Sequence, residues 1–229
     1  MEKTTSLERN LMRRHVAGDL LVKSTARYPK KVAFQFRDKK YTYKEFNEIV
    51  NRCAHGLEKL GIKKGDKAAI YSHNCDQFII YWWGLMKLGA VITPINWMLK
   101  GPEIKYIVDH SESKLFFVED ILVPIVSEIK DDLKGVQTFG FFDLNGAKVD
   151  EGWMNFKDLL SMENSTDEPE IIIEDNDPAT LLYTSGTTAA PKGVLNSHSN
   201  FTSTMVHGPV NNLLVTEDVF LLAIPLFHV

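Results

Sequence analysis

AAIYSHNCDQFIIYWWGLMKLGAVITPI, residues 68 to 95, reads as strand, helix, strand. Ala68 to Tyr71 is a short apolar run that follows a turn at Gly65-Asp66. Gln77 to Leu88 is long enough for a buried helix, and Ala90 to Ile95 resumes a strand after Gly89. The same alternation recurs downstream. Pro102 stands at a first helical position, Ile104, Ile107 and Val108 mark one face, and Leu115 to Val118 is the next strand. A third round pairs a helix over Ile121 to Leu133 with a strand over Val136 to Phe142, Pro124 being tolerated only near that helix's first turn. Repeated strand and helix predict an α/β fold: a largely parallel sheet flanked by helices on both faces.

Upstream, Val16 to Arg27 has helical spacing and Pro29 closes it. Val32, Phe34 and Phe36 alternate with polar neighbours and predict a strand that turns at Asp38-Lys39-Lys40 into Tyr41 to Tyr43. Thr42 and Glu45 have capping-box spacing, Phe46, Ile49, Val50, Cys53, Leu57 and Leu60 share a helical face, and Gly61 supplies the stop. Downstream, MENSTDEPE, residues 162–170, is acidic and turn-forming and is the best linker candidate. Ala179 to Tyr183 reads as a short strand, and extended structure resumes at Val194. The last residues, VFLLAIPLFHV, are apolar where a terminus is normally polar, so the chain is expected to be a truncated piece of a longer polypeptide.

With 229 residues, 44% hydrophobic and 24% charged, the chain suits one ordinary globular domain. A net charge of -4 gives no overall attraction to nucleic acid. Cys53 and Cys75 sit in apolar-periodic segments, as small core hydrophobes of a reducing compartment do. The N-terminus lacks a secretory apolar run, and Phe78 to Leu88 is too short to span a bilayer. No integral membrane segment is expected, and the expected location is cytoplasmic.

YTSGTTAAPKGV, Tyr183 to Val194, carries the chemistry. Thr184, Ser185, Thr187 and Thr188 offer hydroxyls, Gly186 and Gly193 allow close backbone approach and positive φ, and Lys192 supplies a cation. A polyphosphate needs all three. The string is not a Walker A loop, because glycine follows Lys192 where Ser or Thr would stand. Composition alone would also fit a flexible surface loop; the ordered string decides against it.

That string resembles the YTSGTTGxPKGV signature of adenylate-forming enzymes, a superfamily of acyl-CoA synthetases, aryl-CoA ligases, luciferases and peptide-synthetase adenylation domains. Ala189 departs from the pattern, and an alanine there costs about 1–2 kcal/mol if the position needs positive φ. Three further segments fall in the family's order. Tyr41 to Leu57 is similar to its opening "TYxEL" helix, and LMKLGAVITPIN, Leu85 to Asn96, to its second shared motif; both read as packing elements. VLNSHSN resembles "GVxxTHxN". His198 and Asn200 are left out of catalysis there, and Ser197 or Ser199 is expected to cap the next helix. PLFHV, Pro225 to Val229, resembles the acyl- and aryl-CoA synthetase form of a motif that faces the carboxylate, which makes His228 the catalytic candidate.

The resemblance, in type to a fatty-acid–CoA ligase, implies that residues 1–229 are an incomplete N-terminal AMP-binding domain. It implies Mg-ATP, coenzyme A and a small carboxylate, a fatty or aryl acid, as reactants. Carboxylate and ATP would give acyl-AMP and pyrophosphate, then acyl-CoA. Thr184, Ser185, Gly186, Thr187, Thr188 and Lys192 would hold the phosphates; no metal ligand is assigned. The family's "YGxTE" and "TGD" segments and its C-terminal lid domain with a catalytic lysine do not occur in the chain, which is therefore expected to be inactive alone and to bind ATP weakly. Competing readings are a short non-catalytic binding module and a fragment of an amino-acid adenylation domain, the latter disfavoured by PLFHV.

Overall fold

Several helix starts along this chain are set by side chains that satisfy free backbone N–H groups. In the computed structural model, which describes residues 5–184, 190–211 and 213–228, Thr5 caps α1 (Ser6–Arg13) in a capping box with Glu8. After α2 (Ala17–Arg27) comes a hairpin of β1 (Val32–Phe36) and β2 (Lys39–Thr42). Its two-residue turn is Arg37-Asp38, ahead of the expected Asp38-Lys39-Lys40. Tight hairpin turns need positive φ, and Arg37 adopts φ 52 while its guanidinium donates to the Leu144 carbonyl at 3.0 Å. Thr42 then caps α3 (Tyr43–Lys59). Its hydroxyl accepts from the Glu45 N–H at 3.2 Å, and the Glu45 carboxylate accepts from the Thr42 N–H at 2.8 Å. Gly61, at φ 84, ends the helix as expected. The Ile62 N–H reaches the Leu57 carbonyl at 3.1 Å and the Gly61 N–H reaches Glu58 at 2.9 Å, a Schellman closure.

The remaining elements are β3 (Lys67–Tyr71), α4 (Asp76–Leu88), β4 (Val91–Ile95), α5 (Gly101–Ser111), β5 (Ser113–Glu119), α6 (Val123–Ser127), β6 (Thr138–Phe142), β7 (Met154–Asn155), α7 (Phe156–Ser161), β8 (Pro178–Thr184), β9 (Lys192–Ser197) and α8 (His198–Asn211). They build a seven-stranded sheet of order β7-β6-β5-β3-β4-β8-β9. Every neighbouring pair is parallel except the β8–β9 hairpin.

Successive strand residues point to opposite faces, and two cores result. Ala68, Ile70, Leu115 and Phe117 pack with α3, α4 and α7. Ala69, Tyr71, Phe116 and Val118 pack with Ile104, Ile107 and Val108 of α5 and Val123 and Val126 of α6 on the other side. The expected α/β fold with helices on both faces is therefore present. Cys53 and Cys75 are free and buried, and burial pushes both thiols up.

Two segments differ from simple periodicity. The helix expected over Ile121 to Leu133 is broken into a 3-10 turn at Asp120–Leu122, the short α6 and a second 3-10 turn at Lys130–Asp132. Pro124 lies in the first turn of α6, where its missing N–H does no harm. Asp120 fixes the start from outside, accepting from the Asn145 N–H at 2.8 Å and the Ala147 N–H at 3.0 Å. The acidic stretch 162–170, expected as a linker, runs along α3. Asn51 donates to the Thr166 carbonyl at 2.7 Å and Asn47 to Glu168 at 2.6 Å. The buried Lys87 ammonium of α4 donates to Asn47, Asn51 and Glu168 at 2.7, 2.7 and 2.5 Å. Among the described residues, no helix is long and apolar enough to cross a membrane.

Candidate active site

Ligands of open α/β sheets bind outside the carboxyl ends of the parallel strands. β8 runs parallel to β4 with Thr180 opposite Ile92, so Thr184 lies at that edge. β9 returns antiparallel, setting Lys192 opposite Thr184 and Gly193 opposite Tyr183. Thr184 and Lys192, both exposed, thus stand on the two sides of the loop's base. Ser185, Gly186, Thr187 and Thr188 lie outside the described residues, as does Ala189. Gly193 keeps strand conformation, so its value is not positive φ. A Cβ there would meet Leu181 Cδ1 at 3.0 Å and Tyr183 Cζ at 3.5 Å, and glycine gives these side chains room.

Two residues with no motif of their own touch this hairpin. The Tyr106 hydroxyl donates to the Pro191 carbonyl at 3.2 Å, and His110 Nδ1 shares a hydrogen bond with the Tyr183 hydroxyl at 2.7 Å. Burial, with Tyr106 nearby, pushes the Tyr183 phenol up to about 12, so it stays neutral. The only trace of this pair in the sequence is their spacing of four on a helix, shared by countless amphipathic faces.

Of the two candidate caps after the loop, Ser197 is the one that acts. Its hydroxyl accepts from the Asn200 N–H at 3.2 Å, and the Asn200 side chain accepts from the Ser197 N–H at 3.1 Å. His198 opens α8 fully buried. Its Nδ1 accepts from the Ala17 N–H at 3.3 Å, and its Nε2 has no partner among the described residues. Burial pulls its pKa down to about 4 against the opposing charge of Asp177. A neutral imidazole wedged between α2 and α8 is a packing group.

His228 ends a single 3-10 turn, Leu226–His228, with Phe227 buried beneath and the imidazole exposed. Asn74, just past the carboxyl end of β3, holds this turn. Its amide donates to the Ile224 carbonyl at 2.9 Å and its carbonyl accepts from the Leu226 N–H at 2.8 Å. His228 therefore sits at the same edge of the sheet as Thr184 and Lys192. Among the described residues, no group of three or more His, Cys, Asp or Glu is placed to hold a metal ion.

The family described as AMP-binding enzyme matches residues 21–229. Crotonobetaine/carnitine–CoA ligase of Salmonella heidelberg (strain SL476) is 33% identical over 193 residues, 83% of this chain and 37% of that protein. Among solved structures, a Mycobacterium tuberculosis fatty acyl CoA synthetase is 30% identical with a TM-score of 0.68, the match covering 80% of this chain and 35% of that one. The anthranilate CoA ligase AuaEII, solved with anthranoyl-AMP, is 25% identical with a TM-score of 0.80, covering 86% and 37%. The chain thus spans 37% of the length of the Salmonella heidelberg ligase.

Proposed function

Because the chain belongs to the AMP-binding enzyme family, we propose that it carries the phosphate-binding part of an ATP-dependent carboxylic acid–CoA ligase. One observation carries the reading: the hairpin base that sets Lys192 opposite Thr184 at the carboxyl edge of the sheet. In the proposed reaction a carboxylate oxygen attacks the α-phosphorus of ATP, and the bond to the β-phosphate oxygen breaks with its electron pair. Charge grows on the departing pyrophosphate, and a cation with convergent donors lowers the barrier most when it is already in place. Lys192 supplies the charge; Thr184, Ser185, Gly186, Thr187 and Thr188 orient the phosphates. Magnesium arrives with ATP as part of the substrate. The thiol of coenzyme A then attacks the acyl carbon and AMP leaves. His228 is proposed to donate a hydrogen bond to the carboxylate before attack.

Relatives named for fatty acyl, anthranilate and crotonobetaine/carnitine substrates support a small carboxylate as the acyl donor, with a fatty or aryl acid proposed here. Residues 1–229 alone are proposed to hold the phosphates weakly and not to turn over. Buried free thiols suit a reducing compartment, and the cytoplasm is the proposed location.

The test is carboxylate-dependent exchange of labelled pyrophosphate into ATP, catalysed by the gene's full product across a panel of aliphatic and aromatic acids. Exchange with at least one acid is expected. Lys192→Ala should lower it by about 10²–10³-fold, the scale of losing one preorganised charge-stabilising group. His228→Ala should lower it less while raising the KM for the acid. Silence across the panel overturns the reading.

A further inference from the structure

We propose that α5 anchors the phosphate-binding hairpin, with Tyr106 and His110 as its positioning residues. The consequence for catalysis rests on the nucleotide reading above; the anchoring does not.

The hairpin needs an anchor because β4 pairs with it through so little backbone. β8 is in register with β4 only at Ile92 and Thr180. Two residues further along β4 stands Pro94, which has no N–H to give a neighbouring strand. On the other side no strand besides β8 pairs with β9 among the described residues. From Leu181 to Thr184 and from Lys192 to Leu195 the two strands pair with each other and with no other strand among the described residues. A two-stranded ribbon on its own is marginally stable in water.

α5 supplies what the sheet does not. Tyr106 and His110 lie four residues apart, so their rings stack with centroids 5.4 Å apart. Tyr106 holds the outgoing rim of the loop through the Pro191 carbonyl, the only backbone hydrogen-bonding group a proline has. His110 holds the incoming rim through the Tyr183 hydroxyl, its ring edge-on to the tyrosine at 5.6 Å. The helix is itself fixed. Pro102 occupies its first turn, the Glu103 carboxylate accepts from the Lys100 N–H at 3.0 Å, and Ile104, Ile107 and Val108 are buried in the core. Both rims of the loop are thus tied to one rigid element, which lowers the ordering cost of gripping a phosphate chain.

Hydrogen exchange on the 229-residue chain tests the anchor without any assumption about activity. Tyr106→Phe deletes one hydroxyl and keeps the ring stack. It should speed amide exchange in the hairpin strands, residues 181–184 and 192–195, by about threefold to tenfold, the range for one net hydrogen bond. His110→Ala should do the same, the double variant more, and His110→Asn, which retains a hydrogen-bonding group, should restore part of the protection. Peptides from β3 and β5 should not change. In pyrophosphate exchange by the full product, Tyr106→Phe should raise the KM for ATP and leave the KM for the acid unmoved. Unchanged hairpin exchange in all variants, loosening spread evenly through the sheet, or equal rises in both KM values would overturn the proposal. Loosening confined to the hairpin in a protein that exchanges no pyrophosphate would uphold the anchor and sink the nucleotide reading instead.

Discussion

At Gly193 an added methyl group would press on one neighbouring side chain of the hairpin. An added Cβ would sit 3.0 Å from Leu181 Cδ1 and within reach of the Tyr183 ring, on the strand that offers Lys192. Gly193→Ala should therefore push the half-buried Leu181 side chain aside and destabilise the fold by no more than about 1 kcal/mol, the low end for overpacking. Equilibrium urea unfolding checks it, and a variant as stable as the parent would mean that this side chain yields freely. The phosphate role proposed for Lys192 and Thr184 rests on ordered residue types in the sequence, and the structure adds that the two stand opposite each other in the hairpin. His228 draws its role from a motif, and the structure adds Asn74 as the residue that fixes its turn. Tyr106 and His110 are not legible. Their partners lie 85 and 73 residues away, and nothing local distinguishes the pair from an ordinary helix flank.

Elements are easiest to read where the deciding forces are local. Thr42 with Glu45, Gly61 and the alternation of the central strands all act within a few residues. The break inside 121–133 depends on Asn145 and Ala147 reaching back to Asp120, and the path of 162–170 on Asn47, Asn51 and Lys87 lying ready on α3 and α4. Those partners are set by packing, which periodicity does not encode. The α3–α4 contact has a specific demand as well. A Cβ on Gly84 would fall 2.7 Å from Cys53 Sγ and 3.1 Å from its Cβ, so the two helices meet where one side chain is absent. Alanine gains about 1 kcal/mol over glycine in a helix interior, yet Gly84→Ala should be net destabilising by about 1–2 kcal/mol because the clash falls in a filled core. Cys53→Ala makes room, and the double variant should recover much of the loss. Additive losses in urea unfolding would show that the thiol is not the obstacle.

Across the whole molecule, His198 links the first helices, the sheet and the last helix. Its ring accepts from Ala17 at the start of α2, its backbone N–H donates to the Asp177 carbonyl at 3.0 Å, and it opens α8. Burial holds its folded-state pKa at about 4, below the ordinary histidine value of 6.5. Between those values the unfolded chain binds a proton that the folded chain refuses, so stability must fall as pH drops through this window. The contribution is fully present above the unfolded value and gone once pH passes the folded one. From pH 7 to pH 5 the loss amounts to about 2 kcal/mol, because each tenfold difference in proton affinity between the two states is worth about 1.4 kcal/mol. Glu168 acts lower on the scale. Burial opposes its ionisation, but the Lys87 ammonium and hydrogen bonds from Asn47 and Asn51 prevail and lower its pKa. Asp177 is lowered likewise, with Lys64 outweighing burial. Their stabilisation persists above the ordinary carboxylate range and is lost as pH falls through their depressed values. Acid unfolding should therefore come in two legs, an upper one from the histidine and a lower one from the carboxylates. His198→Asn should flatten the upper leg, measured as unfolding free energy from pH 7 to 5, and leave the lower leg in place. An unchanged slope in that variant would mean that His198 takes up its proton while folded, and the wedge between α2 and α8 would then have to tolerate a charge.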